Sequence, residues 1–460
     1  MTQPANPQPA DQPKFDPNAA HMNKPRLRPI RGFPAEAQSQ DGSQKFQMLG
    51  LADAKQISQK MVMTMPASQL ILPLMDGSRD LDQIVTQVGK GLTRPIVEAL
   101  VAQLDDAALI YGPTFDALVA QMKKDFDSSE ILPPATTGQL ADAIAAEGVQ
   151  KGDLAESASL EEKDAFAAGK LREAMDLWMA EALKQAPDPA FDALPKAVVA
   201  PHLDYQRGWI NYGAIYGRMR VVDRPDRIVI LGTNHFGDAT GVCGCNKGYS
   251  TMFGVCNADK ALIAELERTM GPKLFENRFD HEREHSIELH IPWIQHVFGK
   301  DASGNYPQVF GALVHDPAPK NGESYDGQGV SLEAFTSALR TALAKLPGKT
   351  LIVSSADLSH IGPAFGDQQN VSAQDEAGEQ LRQKVFAHDR EMINHVLAGK
   401  ASDLIGAMAW QQNPTRWCST GNICAALMVT QPASVKLLNY SAAMDQQGLA
   451  MVSSAAIVMN

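Results

Sequence analysis

Three short apolar runs in this sequence each open onto a histidine, and that pattern restricts the fold more than any other feature. The first is Ala197-Val198-Val199-Ala200, which leads into Pro201-His202-Leu203-Asp204-Tyr205; the second is Ile228-Val229-Ile230-Leu231, which leads into Gly232-Thr233-Asn234-His235. The third lies in Leu351 to Gly362, where Leu351-Ile352-Val353 gives way to Ser354, Ser355, Asp357, Ser359 and His360. Apolar runs of this kind read as buried strands, and open α/β sheets build their sites at the carboxyl ends of such strands. Further short apolar runs at 309–314 and Met451 to Met459 alternate with helical patterns at Ala258 to Met270, Leu332 to Leu346 and Ala373 to His388. That alternation predicts an α/β layered domain over 196–460.

A chain of 460 residues is too long for one ordinary core. All but one of its 11 histidines lie beyond residue 200, so acid/base and metal chemistry belongs to the second half. Residues 1–24 are rich in Pro, Gln, Asn and Ala and are expected to form a disordered tail. Residues 25–113 read as a small α+β module. Asp80 suits a helix N-cap ahead of Leu81, Ile84, Val85 and Val88; Thr93 and Pro95 open a second helix, and Ala107 to Tyr111 is expected to be a strand. Residues 114–195 read as a helical connector. The net charge of -12 excludes a general nucleic-acid binder, and no apolar run approaches a membrane span. The amino terminus has no signal-peptide pattern, and five cysteines give no disulfide framework, so a cytoplasmic location is expected.

Three histidines at similar strand ends, beside Asp204 and Asp357, favour a bound divalent metal over three separate structural roles. The segments APHLDY (200–205), LGTNH (231–235), EHSIELHIPW (284–293), SSADLSHIG (354–362), NPTRWCSTGNICAAL around Cys418 and the terminal VSSAAIV supply more than spacing. In these segments, and in their order, the chain resembles the MEMO family, often called AmmeMemoRadiSam system protein B. The resemblance covers about 265 residues from Lys196 onward. It implies the fold of class III extradiol (LigB-type) dioxygenases, a central sheet flanked by helices, with a non-haem Fe(II) site.

Carried over, the resemblance makes His202, His235 and Cys418 the metal ligands, and Asp357 and His360 the neighbouring pair, with His360 in the acid/base place. It also implies a small aromatic or peptide substrate, and radical SAM and AMMECR1-type partner proteins. Two positions depart from the family pattern: Ser419 stands where glycine commonly follows the ligand cysteine, and HLDY replaces HAGY, placing Asp204 near the first ligand. A thiolate in place of the usual carboxylate softens the set, so Cu(I) and Zn compete with iron, which ranks first. In this reading His360 moves a proton and Asp357 fixes its tautomer. The alternative is a non-catalytic iron, copper or peptide-binding protein on the same fold. In the first module, LILPLMDGSRDLDQI (70–84) is similar to PqqD-like proteins, and the helix-helix-strand order also resembles a winged helix.

His281-Glu282-Arg283-Glu284-His285 spells H-E-x-x-H, the zinc-protease helix signature. No glutamate follows between Glu288 and Glu323 to act as third ligand, and Pro292 would end such a helix. Glu284, His285 and Glu288 are therefore expected to form a polar stripe on the pocket wall, orienting ligands from behind. Cys243, Cys245, Cys256 and Cys424 lack zinc-site spacing and are expected to be loop and core cysteines.

Overall fold

The computed structural model describes residues 13–38, 45–372 and 376–460. The chain divides into two compact units, one ending at Ser128 and one spanning Ser129–Asn460. The expected connector at 114–195 is thereby split. Its first helix, Pro113–Ser128, belongs to the first unit; Thr136–Lys151 and Leu160–Leu183 belong to the second.

In the first unit an antiparallel sheet of Ile30–Gln38, Lys45–Asp53 and Val62–Thr64 accompanies helices Leu81–Val88 and Arg94–Asp106. Asp80 is the N-cap expected from sequence: it accepts from Gln83 N at 2.8 Å, and the Gln83 side chain accepts from Asp80 N at 2.9 Å. The expected strand at Ala107 to Tyr111 is an isolated bridge between Leu27 and Ile110. Its chain turns through a positive φ at Ala108, which interrupts extended backbone. The first half of the predicted tail lies outside the described residues. Its last part does not behave as a tail, because a short helix at Ala20–Asn23 buries Met22 in this unit's core.

The second unit is built on an eight-stranded mixed sheet. The strand order is Asp357–Ile361, Met451–Met459, Ala197–Ala200, Thr350–Ser355, Arg227–Thr233, Gln308–Val314 and Cys243–Cys245, and Val435–Met444 also pairs with Met451–Met459. The four strands from Ala197–Ala200 to Gln308–Val314 run parallel. They are buried almost throughout, which is why they read as continuous rather than alternating apolar runs. Helices Lys260–Met270, Leu332–Lys345, Ala401–Gln411 and Thr420–Thr430 pack together on one side. Tyr205–Tyr216, backed by Leu160–Leu183 and then Thr136–Lys151, forms another helical stack against the sheet.

Leu351 to Gly362 is two strands rather than one strand and a loop. Ala356 donates its N–H to Ala200 O at 2.8 Å, and the chain then steps past the Ala197 strand to pair antiparallel with Met451–Met459. The step separates Ser355, at the sheet centre, from His360, near the edge.

The helix at Thr136–Lys151 starts on a side chain from far along the chain. Glu288 Oε1 accepts from Ala135 N (2.9 Å), Thr137 N (2.9 Å) and Thr137 Oγ1 (2.5 Å), while Oε2 accepts from Thr136 N (3.0 Å). A helix leaves its first N–H groups without intrahelical partners, and a buried carboxylate there satisfies three at once. Replacing Glu288 with alanine strands these donors in the interior and should cost about 3 kcal/mol. Urea unfolding of the metal-free protein measures this; a loss below about 1 kcal/mol would contradict the capping role.

Candidate metal centre

The carboxyl ends of the parallel strands carry His202, His235 and the Ser355–Asp357 segment, as strand-end chemistry requires. His202 Nδ1 lies 3.0 Å from Ser355 Oγ, whose one proton goes to Ser286 O at 2.5 Å. Ser355 therefore accepts from His202, Nδ1 carries the proton, and the Nε2 lone pair is left free. His235 is held by Glu284: its backbone N–H donates to Oε2 at 2.8 Å and its Nδ1 to Oε1 at 3.0 Å. His285 Nδ1 lies 3.3 Å from the same Oε1. A ligand atom from each of His202, His235 and His285 lies within 4.8 Å of the others. His202 and His235 have Nδ1 hydrogen-bonded to outer partners, the usual arrangement around a protein-bound metal, and His285 turns its Nδ1 toward Glu284.

Glu284 is buried, which by itself raises its pKa, but His235, His285 and the Ser286 N–H bring it down to about 2. Burial holds His202 well below its ordinary value and His285 down at about 4, so both are neutral and able to ligate. His235 is also disfavoured by burial, yet Glu284 and Cys418 together raise it well above the ordinary value. A cation entering here would displace that proton. The His285 segment sits close against the Arg227 strand because residue 232 is glycine. A Cβ there would lie 2.6 Å from Ser286 Oγ and 2.7 Å from Ile287 Cγ1.

Cys418 stands just ahead of the Thr420–Thr430 helix, with Sγ 3.4 Å from His202 Nε2 and 3.1 Å from Ser419 Oγ. Asn422 ties this helix to the strand ends, donating to Ser355 O at 2.6 Å and Thr233 Oγ1 at 2.9 Å. Asp357 accepts from His202 N at 3.0 Å and places Oδ2 3.6 Å from His202 Nε2. His360 donates from Nδ1 toward the carbonyls of Leu358 (2.9 Å) and Arg416 (3.2 Å). Burial brings its pKa down to about 4, leaving a neutral ring with a basic Nε2.

The Memo-like protein model matches residues 167–458, well over half of the chain. The chain belongs to the Memo-like family. Among curated relatives, a MEMO1 family protein of Thermus thermophilus is 23% identical over 266 residues, covering 57% of this chain and 72% of the relative. One from Aquifex aeolicus is 22% identical over 364 residues, covering 78% and 81%. A third, from Methanopyrus kandleri, is 29% identical over 191 residues, covering 39% and 61%.

In this Memo-like protein several residues expected in the site sit elsewhere or act otherwise. His285, expected on the pocket wall, joins His202 and His235 in the tight group. Glu288, expected beside it, caps a distant helix. Asp204 is exposed and serves as N-cap of Tyr205–Tyr216, accepting from Arg207 N at 3.1 Å and pairing with the Arg207 guanidinium. Asp357 does not fix the His360 tautomer, because backbone carbonyls do so and its carboxylate faces His202. H-E-x-x-H is not one helix: Arg278–Arg283 is a 3-10 turn, and Glu284 is extended. His281 is buried against Tyr249 OH (3.1 Å) and Cys243 O (3.2 Å), away from the group. Cys243, Cys245, Cys256 and Cys424 are buried free thiols whose pKa values burial raises.

Burial pushes the Asp357 carboxyl up to about 7, against the His202 N–H and the His235 charge that pull it down. The unfolded chain releases this proton near pH 4 and the folded, metal-free chain about three pH units later. The folded state is thus progressively disfavoured from about pH 4 to 7, and the penalty is constant above. Asp357→Asn, compared with wild type by urea unfolding without metal, should gain about 4 kcal/mol between pH 4 and pH 8. A difference that does not vary with pH would show that Asp357 is ionised in the fold.

Proposed function

We propose that this Memo-like protein is a metal-dependent redox enzyme, with Fe(II) the first choice of metal and Cu(I) or Zn the competitors. The observation that carries this reading is the grouping of His202, His235 and His285, which brings one ligand atom of each within 4.8 Å of the others, with the Nδ1 atoms of His202 and His235 hydrogen-bonded to Ser355 and Glu284. These three residues would hold the metal, with Cys418 beside them as a softer donor. Bound there, a redox-active ion supplies Lewis-acid and one-electron chemistry.

The rest of the chemistry belongs to the chain's own side chains. His360, neutral and with Nδ1 fixed by two carbonyls, accepts a proton at Nε2 from a substrate hydroxyl or amide. Glu284 orients two ligands, Ser355 a third, and Asp357 places a carboxyl against His202 that ionises when a cation arrives. A small aromatic or peptide substrate, a LigB-like relationship, a PqqD-like or winged-helix character for the first unit, radical SAM and AMMECR1-type partners and a cytoplasmic setting follow from the resemblance and belong to the same proposal.

The presence of four donors supports a second reading. His202, His235, His285 and Cys418 are enough to close a tetrahedral site, as in proteins that hold a metal without turnover. Protein purified anaerobically with thiols preserved should carry about one iron or copper per chain. Less than about a tenth of that, with no uptake on reconstitution, would sink both readings. X-ray absorption on the loaded protein separates them: an open or water-filled position supports the enzyme, and four protein donors alone support the holder.

A further inference from the structure

Asp389, on the Glu376–Leu397 helix, is 1% exposed and accepts four hydrogen bonds inside the second unit. Its Oδ1 takes Ser359 Oγ at 2.5 Å and Trp417 Nε1 at 2.7 Å; its Oδ2 takes Tyr440 OH at 2.6 Å and Ser453 Oγ at 2.5 Å. Ser359 immediately precedes His360, and Trp417 immediately precedes Cys418. The two segments also hold each other: Arg416 Nε donates to His360 O at 2.9 Å, and His360 N to Thr415 O at 2.8 Å. Asn413 brackets the Trp417 backbone, accepting from its N–H and donating to its carbonyl, both at 2.8 Å.

A buried carboxylate is a costly way to fill space, and an apolar side chain would pack there without desolvation. What it adds is direction. One carboxylate oxygen receives donors from the segment carrying the thiol and from the segment carrying the proton acceptor. Charge-assisted bonds of this kind are short and strongly oriented. We propose that Asp389 is a positioning residue which sets the Cys418 thiol and the His360 imidazole relative to each other. It touches neither reacting group and acts through Trp417 and Ser359. The proposal rests on the reading that Cys418 and His360 belong to one site.

The test begins without metal. Cys418 is half-buried while the other four cysteines are buried, so alkylation of the native protein, read by mass spectrometry, reports on Cys418. Asp389→Asn should change the Cys418 labelling rate by at least about threefold, and Trp417→Phe, which removes the indole donor, should do the same. Tyr440→Phe, which removes a similarly short bond to Asp389 but no bond to Ser359 or Trp417 themselves, should leave the rate unchanged. Unaltered labelling in a folded Asp389→Asn protein, or equal changes in all three variants, would overturn the proposal. Trp417→Phe decides the matter if Asp389→Asn does not fold.

Loading with Co(II) then separates this proposal from the reading beneath it. Wild type should show thiolate-to-cobalt charge transfer that Asp389→Asn weakens relative to the bands of histidine-bound cobalt. If wild type has no thiolate band, Cys418 is not a ligand and the reading that joins Cys418 and His360 in one site is at fault. If both proteins show the same band, the positioning role is wrong and the centre stands.

Discussion

Joint replacement of His202 and His235 by alanine should abolish metal binding while leaving the protein folded. A structural zinc site contributes roughly 10–16 kcal/mol, so losing two of three or four donors should weaken binding at least about a thousandfold. The fold should tolerate the change. Ser355 keeps its bond to Ser286 O, Asp357 keeps the residue-202 backbone N–H, and Glu284 keeps the residue-235 and Ser286 N–H groups. The remaining loss is packing around two imidazoles, about 2 kcal/mol each. Metal analysis and circular dichroism on the same sample read both effects. Wild-type metal content would refute the centre, whereas an unfolded chain would require each single variant in turn. His281→Ala is the contrasting variant: it should keep the metal, because His281 lies on Tyr249 and Cys243 rather than in the group.

Glu284→Gln should produce the next largest effect. The carboxylate receives His235 N and Nδ1 and Ser286 N, and His285 Nδ1 approaches it. Glutamine offers one oxygen to these donors and turns an NH₂ group toward the rest, so donors face donors in the interior. Loss of such an outer partner typically lowers metal affinity by 10–100-fold, and here it serves two ligands, so about 100-fold is expected. Stability without metal should fall by about 3 kcal/mol. Competition with a chromophoric chelator measures the first effect and urea unfolding the second. An affinity within about threefold of wild type would show that the histidines orient themselves by packing alone.

The strands that build the centre were legible because each is buried on both faces, and such burial writes itself as a short apolar run. His202, His235 and Cys418 came with the family motifs, and the structure places Cys418 Sγ near His202. What escaped the sequence depends on partners far along the chain. Glu288 reads as one polar residue on a stripe, and nothing local tells that its acceptors meet backbone N–H groups more than 150 residues earlier. His285 reads as part of the wall if the helix is continuous, and the extended Glu284 changes which way its neighbour faces. Asp389 lies in a helix rich in charge, where a solvated face is the default, so only tertiary packing distinguishes it. Ala356, where one strand becomes two, carries no turn signal at all.

The Glu288 cap has a consequence for where this protein can be cut. The Memo-like match begins at residue 167, inside the Leu160–Leu183 helix, whereas the cap reaches back to Ala135. A shortened chain starting at the family boundary would lose the helix that satisfies Glu288 and leave a carboxylate facing nothing, three residues from His285. In this protein the segment matched by the family model and the packing that surrounds the centre are different lengths of chain.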